Sequence, residues 1–200
     1  MNLLAIDTSG SHLTVLIKKG DEIVVNYTEN AGLKHSVTLL PEIENALTKA
    51  GLTLSEIDAF CSVTGPGSFT GIRIGVSTVK AFAYAFSKKV LSVTSFDVIA
   101  YDSCKDKALA VIDARHGNYY ACGYEGGEVC LEPCFITESE LNALSSEYEV
   151  ITLESANLQN GLINAVNKRL DSATYDRESI VPLYVKKSQA EEEADAKKVD

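Results

Sequence analysis

Between Gly65 and Gly71 the chain places three glycines and one proline in seven residues, behind the apolar run Ala59 to Thr64 and ahead of a long segment to Phe86 without turn signals. A loop of this kind can aim several backbone amides at one point and cannot sit inside a regular element, so it imposes a strand, loop, helix unit. It matches neither familiar nucleotide template. A Walker loop needs GxxxxGK, and no Lys follows a suitable Gly; a dinucleotide fingerprint needs GxGxxG, whereas the spacing is GxGxxxG with Thr70 at the critical place. Anion binding and plain backbone geometry, with Gly71 and Gly75 admitting a neighbouring element, are equal readings of the loop.

The remaining patterning alternates around this unit. The runs Leu3 to Ile6, Leu13 to Ile17 and Ile23 to Tyr27 are parted by Asp7-Thr8-Ser9-Gly10 and Lys19-Gly20-Asp21, which predicts a three-stranded meander. Val37, Leu40, Ile43, Leu47 and Ala50 recur at spacings of three and four, so Ser36 to Ala50 reads as an amphipathic helix ended by Gly51, with Pro41 kinking it or delaying its start. Strands are predicted at Val90 to Val93 and Ala108 to Asp113, with a short helix from Ser95 to Tyr101, capped by Ser95, between them. A hairpin follows, Asn118 to Tyr124 and Val129 to Phe135. A helix Glu138 to Ser145 with Thr137 as N-cap, a strand Val150 to Leu153 and a helix Leu158 to Leu170 complete the order. Antiparallel strands feeding alternating helices and strands predict a mixed α/β fold.

Composition removes several function classes. Eighteen Lys and Arg against twenty-eight Asp and Glu leave a net charge of −10, which opposes independent binding to a phosphate backbone. No apolar stretch reaches the roughly 18–20 residues needed to cross a bilayer, and no leader pattern opens the chain, so a cytoplasmic protein is expected. Five cysteines at irregular spacing, Cys61, Cys104, Cys122, Cys130 and Cys134, suit reduced thiols. None has a His beside it in a recognisable nucleophile signature, and His12, His35 and His116 form no HxxxH or HExxH pair. Lys186 to Asp200 carries nine charges and few large apolar groups, which predicts a disordered tail.

Two features hold candidate functional residues. Asp7-Thr8-Ser9 at the end of the first strand offers a carboxylate and hydroxyls to a phosphate or a divalent cation, or else makes an ordinary Asx turn. The helix after the glycine loop is apolar almost all round, with Ile72, Val76, Val79, Ala83 and Phe86 on one face and Ile74, Ala81, Phe82 and Ala85 over much of the rest. Such a helix is either central in a core or covered by a partner chain.

Five stretches together give the chain a family likeness: LAIDTS (Leu4 to Ser9), KHS (Lys34 to Ser36), GPGSFTGIRIG (Gly65 to Gly75), DARHGNYY (Asp113 to Tyr120) and PLYVK (Pro182 to Lys186). They resemble the TsaB, or YeaZ, family, and GPGSFTGIRIG is the specific part. The resemblance implies an actin-like ATPase fold (ASKHA, ribonuclease H-like) with two related mixed-sheet halves, the second small. The expected division is 1–102 for the half with the interface helices, 103–185 for the smaller half and 186–200 for the tail.

The resemblance also implies a role. TsaB proteins work with TsaD, TsaE and TsaC to place threonylcarbamoyl on the tRNA adenosine next to the anticodon, with TsaD as the enzyme. TsaD carries a metal-binding HxxxH on the short helix after the glycine-loop helix; here Ser95 and Ile99 stand at those places. A non-catalytic subunit without a metal is therefore expected, pairing with TsaD, reaching TsaE through that complex, forming a homodimer when alone and meeting tRNA only indirectly. The pairing helices would present His35, Leu39, Leu40, Ile43 and Leu47 from the first, and Ile72, Arg73, Val76, Val79, Lys80 and Ala83 from the second. Asp7, Thr8 and Ser9 would form a degenerate phosphate loop, with no cofactor required by this chain and any ATP or ADP held weakly or shared within a complex. The alternative is an ATP-dependent small-molecule phosphotransferase of the same fold superfamily.

Overall fold

The computed structural model describes residues 1–31, 34–102 and 106–186. The predicted Lys186 to Asp200 tail therefore lies outside the described residues apart from Lys186, as does Cys104. Two sheets form. The first contains β1 (Asn2–Asp7), β2 (Leu13–Lys19), β3 (Glu22–Thr28), β4 (Ala59–Val63) and β5 (Lys89–Val93), in the order β3-β2-β1-β4-β5. The meander is antiparallel, while β4 and β5 run parallel to β1 because helical crossovers separate them. The second contains β6 (Lys107–Arg115), β7 (Asn118–Glu125), β8 (Glu128–Thr137) and β9 (Glu149–Thr152), in the order β8-β7-β6-β9. Its strand order repeats that of β3-β2-β1-β4, with the same antiparallel meander and a parallel last strand.

Among the described residues five α-helices dress the sheets: α1 (His35–Ala50), α2 (Phe69–Phe86), α3 (Ser95–Ala100), α4 (Glu138–Leu144) and α5 (Leu158–Arg169). Helix α1 runs continuously through Pro41 and ends at Gly51, whose left-handed φ of 63° lets its N–H close on Leu47 and Thr48 carbonyls. Pro41 lies on the exposed face, where the carbonyl it leaves unpaired meets water. Helix α2 starts two residues before Gly71, because Ser68 is its N-cap and accepts the Gly71 N–H.

The cap of α3 is a correction. Thr94, not Ser95, occupies it: Thr94 Oγ1 accepts the Asp97 N–H at 2.9 Å, and Asp97 Oδ2 accepts the Thr94 N–H at 2.8 Å. With Ser95 as cap the reciprocating position would be Val98, which has no acceptor.

The strands up to β5 and those from β6 onward belong to separate sheets, but helix packing crosses between these two parts of the chain. One face of the first sheet packs on α1 and α2 through Leu39, Ile43, Ile72 and Val79. Its other face, with Leu3, Ala5, Cys61 and Leu91, is covered by Leu162, Ala165 and Val166 of α5, which belongs to the later half of the chain. Beyond α5 the chain stays on the first half: Thr174 pairs with Val90, Arg177 Nε donates to the Ala83 carbonyl, and the Leu183 N–H donates to the Thr64 carbonyl. The second sheet keeps α3 on one face and α4 on the other.

Helix α3 joins the halves through a buried carboxylate. Asp97 Oδ1 accepts from the Tyr124 hydroxyl of β7 and from Arg169 Nη2 of α5, both at 3.0 Å. Close by, Gly161 lets α5 approach α3 so nearly that a Cβ there would overlap the Val98 carbonyl. Chemical denaturation should show Gly161→Ala destabilised by about 2 kcal/mol or more despite its better helix propensity. Asp97→Asn, which leaves Arg169 without its counter-charge, should cost about 3 kcal/mol.

Candidate functional site

The turn after β1 is pressed against the glycine loop. The Ser68 N–H donates to the Ser9 carbonyl at 2.6 Å, and Thr8 Oγ1 donates to the Gly71 carbonyl at 2.7 Å. A Cβ on Gly67 would overlap the Ser9 carbonyl, and one on Gly71 the Thr8 carbonyl. The glycines thus serve a close backbone approach, which favours the geometric reading of the loop over an open anion cradle.

Asp7, Thr8 and Ser9, expected as a degenerate phosphate loop, do come together, and all three are buried. Asp7 Oδ1 accepts the Ser9 N–H at 2.8 Å and the Ser9 hydroxyl at 2.7 Å, forming an Asx turn. Asp7 Oδ2 pairs with His12 Nε2 at 2.9 Å. The Ser95 hydroxyl of α3 donates to Ser9 Oγ at 3.2 Å. His12, which the sequence reading left without a role, is the residue that defines this site: it is buried, stacks on Tyr27 at a centroid separation of 5.8 Å and occupies the free side of the carboxylate. Its position five residues after Asp7, across the β1–β2 turn, was the only available signal. Both oxygens of Asp7 are thus engaged by partners inside the protein.

Burial alone would raise the Asp7 carboxyl, but the His12 charge and the hydrogen bonds from His12 and Ser9 outweigh it and hold Asp7 below the usual carboxylate range. Burial alone would lower His12, but the Asp7 charge and hydrogen bond outweigh it and raise the imidazole above its ordinary value. Both shifts favour the ion-paired form of the couple over its neutral form.

The pairing residues expected on α1 and α2 differ in how far this chain itself covers them. His35, Leu39, Ile43 and Leu47, together with Ile72, Val76, Val79 and Ala83, are buried within this chain. The broad apolar face of α2 packs on the sheet through Ile72, Val76, Val79 and Ala83. His35 is held by its Nε2–H donating to the Gly10 carbonyl at 3.1 Å. Of the expected set only Leu40, Arg73 and Lys80 keep surface, and Lys80 pairs with Glu178 at 3.0 Å. Leu40, 59% exposed, borders a groove of about 430 Å³ between α1, the Leu52 to Leu54 segment and Phe82 of α2.

Other chemistry is sparse among the described residues. No three His, Cys, Asp or Glu side chains cluster as a metal site, and no helix is long and apolar enough to cross a membrane. Cys61, Cys122, Cys130 and Cys134 are free thiols, and burial pushes Cys122 up to about 12, a value at which no useful thiolate forms.

A pH dependence follows from the Asp7–His12 pair. The raised His12 contributes stability fully below its unfolded value of about 6.5 and loses it as pH rises through the folded value; the lowered Asp7 contributes above about 3.9 and fails only in acid. Urea titrations at pH 6 and pH 8.5 should show the native chain losing more stability at the higher pH than His12→Gln does, while the two profiles run parallel if the pair is neutral.

Comparison with known proteins agrees with this architecture. A family model described as TsaD: tRNA N6-adenosine threonylcarbamoyltransferase matches residues 22–168. The tRNA threonylcarbamoyladenosine biosynthesis protein TsaB of Bacillus subtilis is 29% identical over 127 residues, which covers 62% of this chain and 56% of that protein. TsaB of Escherichia coli is 32% identical over 132 residues, covering 64% and 57%. The chain thus matches a little over half the length of these relatives. YeaZ from Pseudomonas aeruginosa shares the fold at a TM-score of 0.75 and 23% identity, over 92% of this chain and 99% of that one. The two mixed sheets share the fold of YeaZ, and with the family model running from β3 to α5 the chain belongs to the family that the TsaD model describes, as one of its TsaB/YeaZ proteins.

Proposed function

We propose that this chain is a non-catalytic partner subunit in tRNA N6-threonylcarbamoyladenosine formation, binding and activating a TsaD-type enzyme. The observation that carries the reading lies on α3. Ser95 and Ile99, at the places of the HxxxH that TsaD resemblance leads one to look for, are both buried, Ser95 hydrogen-bonded to Ser9 and Ile99 within the apolar cluster against the second sheet. A serine and an isoleucine so placed supply no imidazole to a metal, and Lewis-acid activation of an acyl carbon has no ligand set on this helix. The engaged Asp7 weighs in the same direction and against the phosphotransferase alternative, which needs an open carboxylate for a metal–nucleotide complex. The net charge of −10 favours a subunit that meets tRNA through another chain.

The docking face of this reading is the exposed ridge of α1, Val37 and Leu40, with the groove behind it, rather than the buried stripe of α2. A homodimer through the same ridge competes with the heterodimer. Light scattering after size-exclusion chromatography, alone and with the TsaD subunit, tests it. Leu40→Glu should weaken both associations by about tenfold or more while leaving folding stability within about 0.5 kcal/mol. Val79→Glu, in the core, should instead unfold the chain. Unchanged association of a folded Leu40→Glu variant, with threonylcarbamoyladenosine intact in cells lacking this chain, would defeat the proposal.

A further inference from the structure

Three of the five stretches that carry the family likeness, far apart in sequence, meet at one cavity of about 250 Å³ that neither Asp7, Thr8 nor Ser9 lines. Phe69 and Arg73 come from the first turns of α2, Tyr120 from β7, and Tyr184 and Lys186 from the last described segment. The segment is held there by its backbone: the Leu183 N–H donates to the Thr64 carbonyl at 2.8 Å, just ahead of the glycine loop.

We infer that this cavity binds a small phosphorylated ligand with a planar ring, of the mononucleotide class, with Arg73 as the anion acceptor. The guanidinium is positioned without being neutralised. Its carbon sits 3.6 Å above the Phe69 ring, and its Nε–H donates to the Tyr184 hydroxyl at 3.0 Å. Among the described residues its two terminal nitrogens take part in no hydrogen bond or ion pair. In a chain with ten more acidic than basic residues, an arginine that stacks on an aromatic ring and has no carboxylate partner keeps its planar donor edge for an oxyanion.

Lys186 supplies a second positive charge on the same wall, its Nζ 5.1 Å over the Phe135 ring next to Tyr120. The rings select the rest of the ligand. Phe69 and Tyr184 are 48% and 43% exposed, at a centroid separation of 5.4 Å, and Tyr120 faces the same space, so a flat apolar surface adjoins the cationic edge. Cations interleaved with exposed aromatic faces suit a base joined to a phosphate better than a bare dicarboxylate. The volume lies just below the roughly 300–1,000 Å³ of pockets for larger organic ligands, which limits the occupant to about one nucleotide. This inference stands apart from the assembly role, since it concerns the isolated chain.

The test is a titration of the full-length chain with 5′-AMP, adenosine, inorganic phosphate and a hexaglutamate peptide, followed by isothermal calorimetry and by backbone amide NMR. AMP should bind saturably and about tenfold more tightly than either adenosine or phosphate alone, because only AMP engages both the rings and Arg73. Amide shifts should map to residues 66–73, 120 and 183–186. Arg73→Met, which keeps the apolar stem on an exposed site, should weaken AMP by about tenfold; Lys186→Gln, also exposed, gives a second reading if the first variant folds poorly. Binding of AMP no stronger than of phosphate, equal binding of hexaglutamate, shifts at residues 7–12 instead, or unaltered affinity in both variants would each overturn the inference.

Discussion

The contact on which the structure depends is the seating of the β1–β2 turn against the start of α2. Backbone meets backbone there, with Thr8 and Ser9 bonded to Gly71 and Ser68 and no Cβ tolerated at Gly67 or Gly71. That seating fixes the crossover between β4 and α2, orients α2 so that Ile72, Val76 and Val79 face the sheet, and brings Ser9 within reach of Ser95 on α3. The same closeness sets the glycines of the loop against backbone carbonyls rather than around an open space. A feature that looks like a ligand cradle in the sequence therefore works as a joint.

Two buried carboxylates complete that joint in different ways. Asp7 is balanced inside a single hairpin by His12, at short range in sequence, so it forms as soon as β1 and β2 pair. Asp97 instead gathers Thr94 at the cap of its own helix, Tyr124 of β7 and Arg169 of α5, the last 72 residues away in sequence. Each removal would leave a desolvated charge unpaired, which is far more costly than the net gain of the intact pair. The first carboxylate secures the turn; the second secures one sheet against the other.

Most elements were legible because their signals are local. Runs of β-branched residues marked the strands, spacing marked α1, and Thr137 announced α4 as its N-cap, a role the structure completes with Glu140 closing a reciprocal cap. The errors lie where a long-range contact decides. Ser95 was read as the cap of α3, whereas Asp97 closes a reciprocal cap with Thr94, and the all-round apolarity of α2 could not tell a sheet from a partner chain. The site was half legible: Asp7, Thr8 and Ser9 were found from residue type, but nothing in a lone histidine predicts that a hairpin will fold it back onto the carboxylate. The return of α5 to the first sheet was not legible for a similar reason, since it is a matter of tertiary packing and leaves no mark in the linker.

That return has a consequence for how the chain is made. Leu3, Ala5, Cys61, Val63 and Leu91 form an apolar sheet face whose cover, Leu162, Ala165 and Val166, is translated about seventy residues after β5. At ordinary ribosomal speeds the interval is on the order of ten seconds. Throughout it the nascent first sheet is paired on one face and greasy on the other, a period in which shielding by a chaperone matters more than the intrinsic speed of any single folding step.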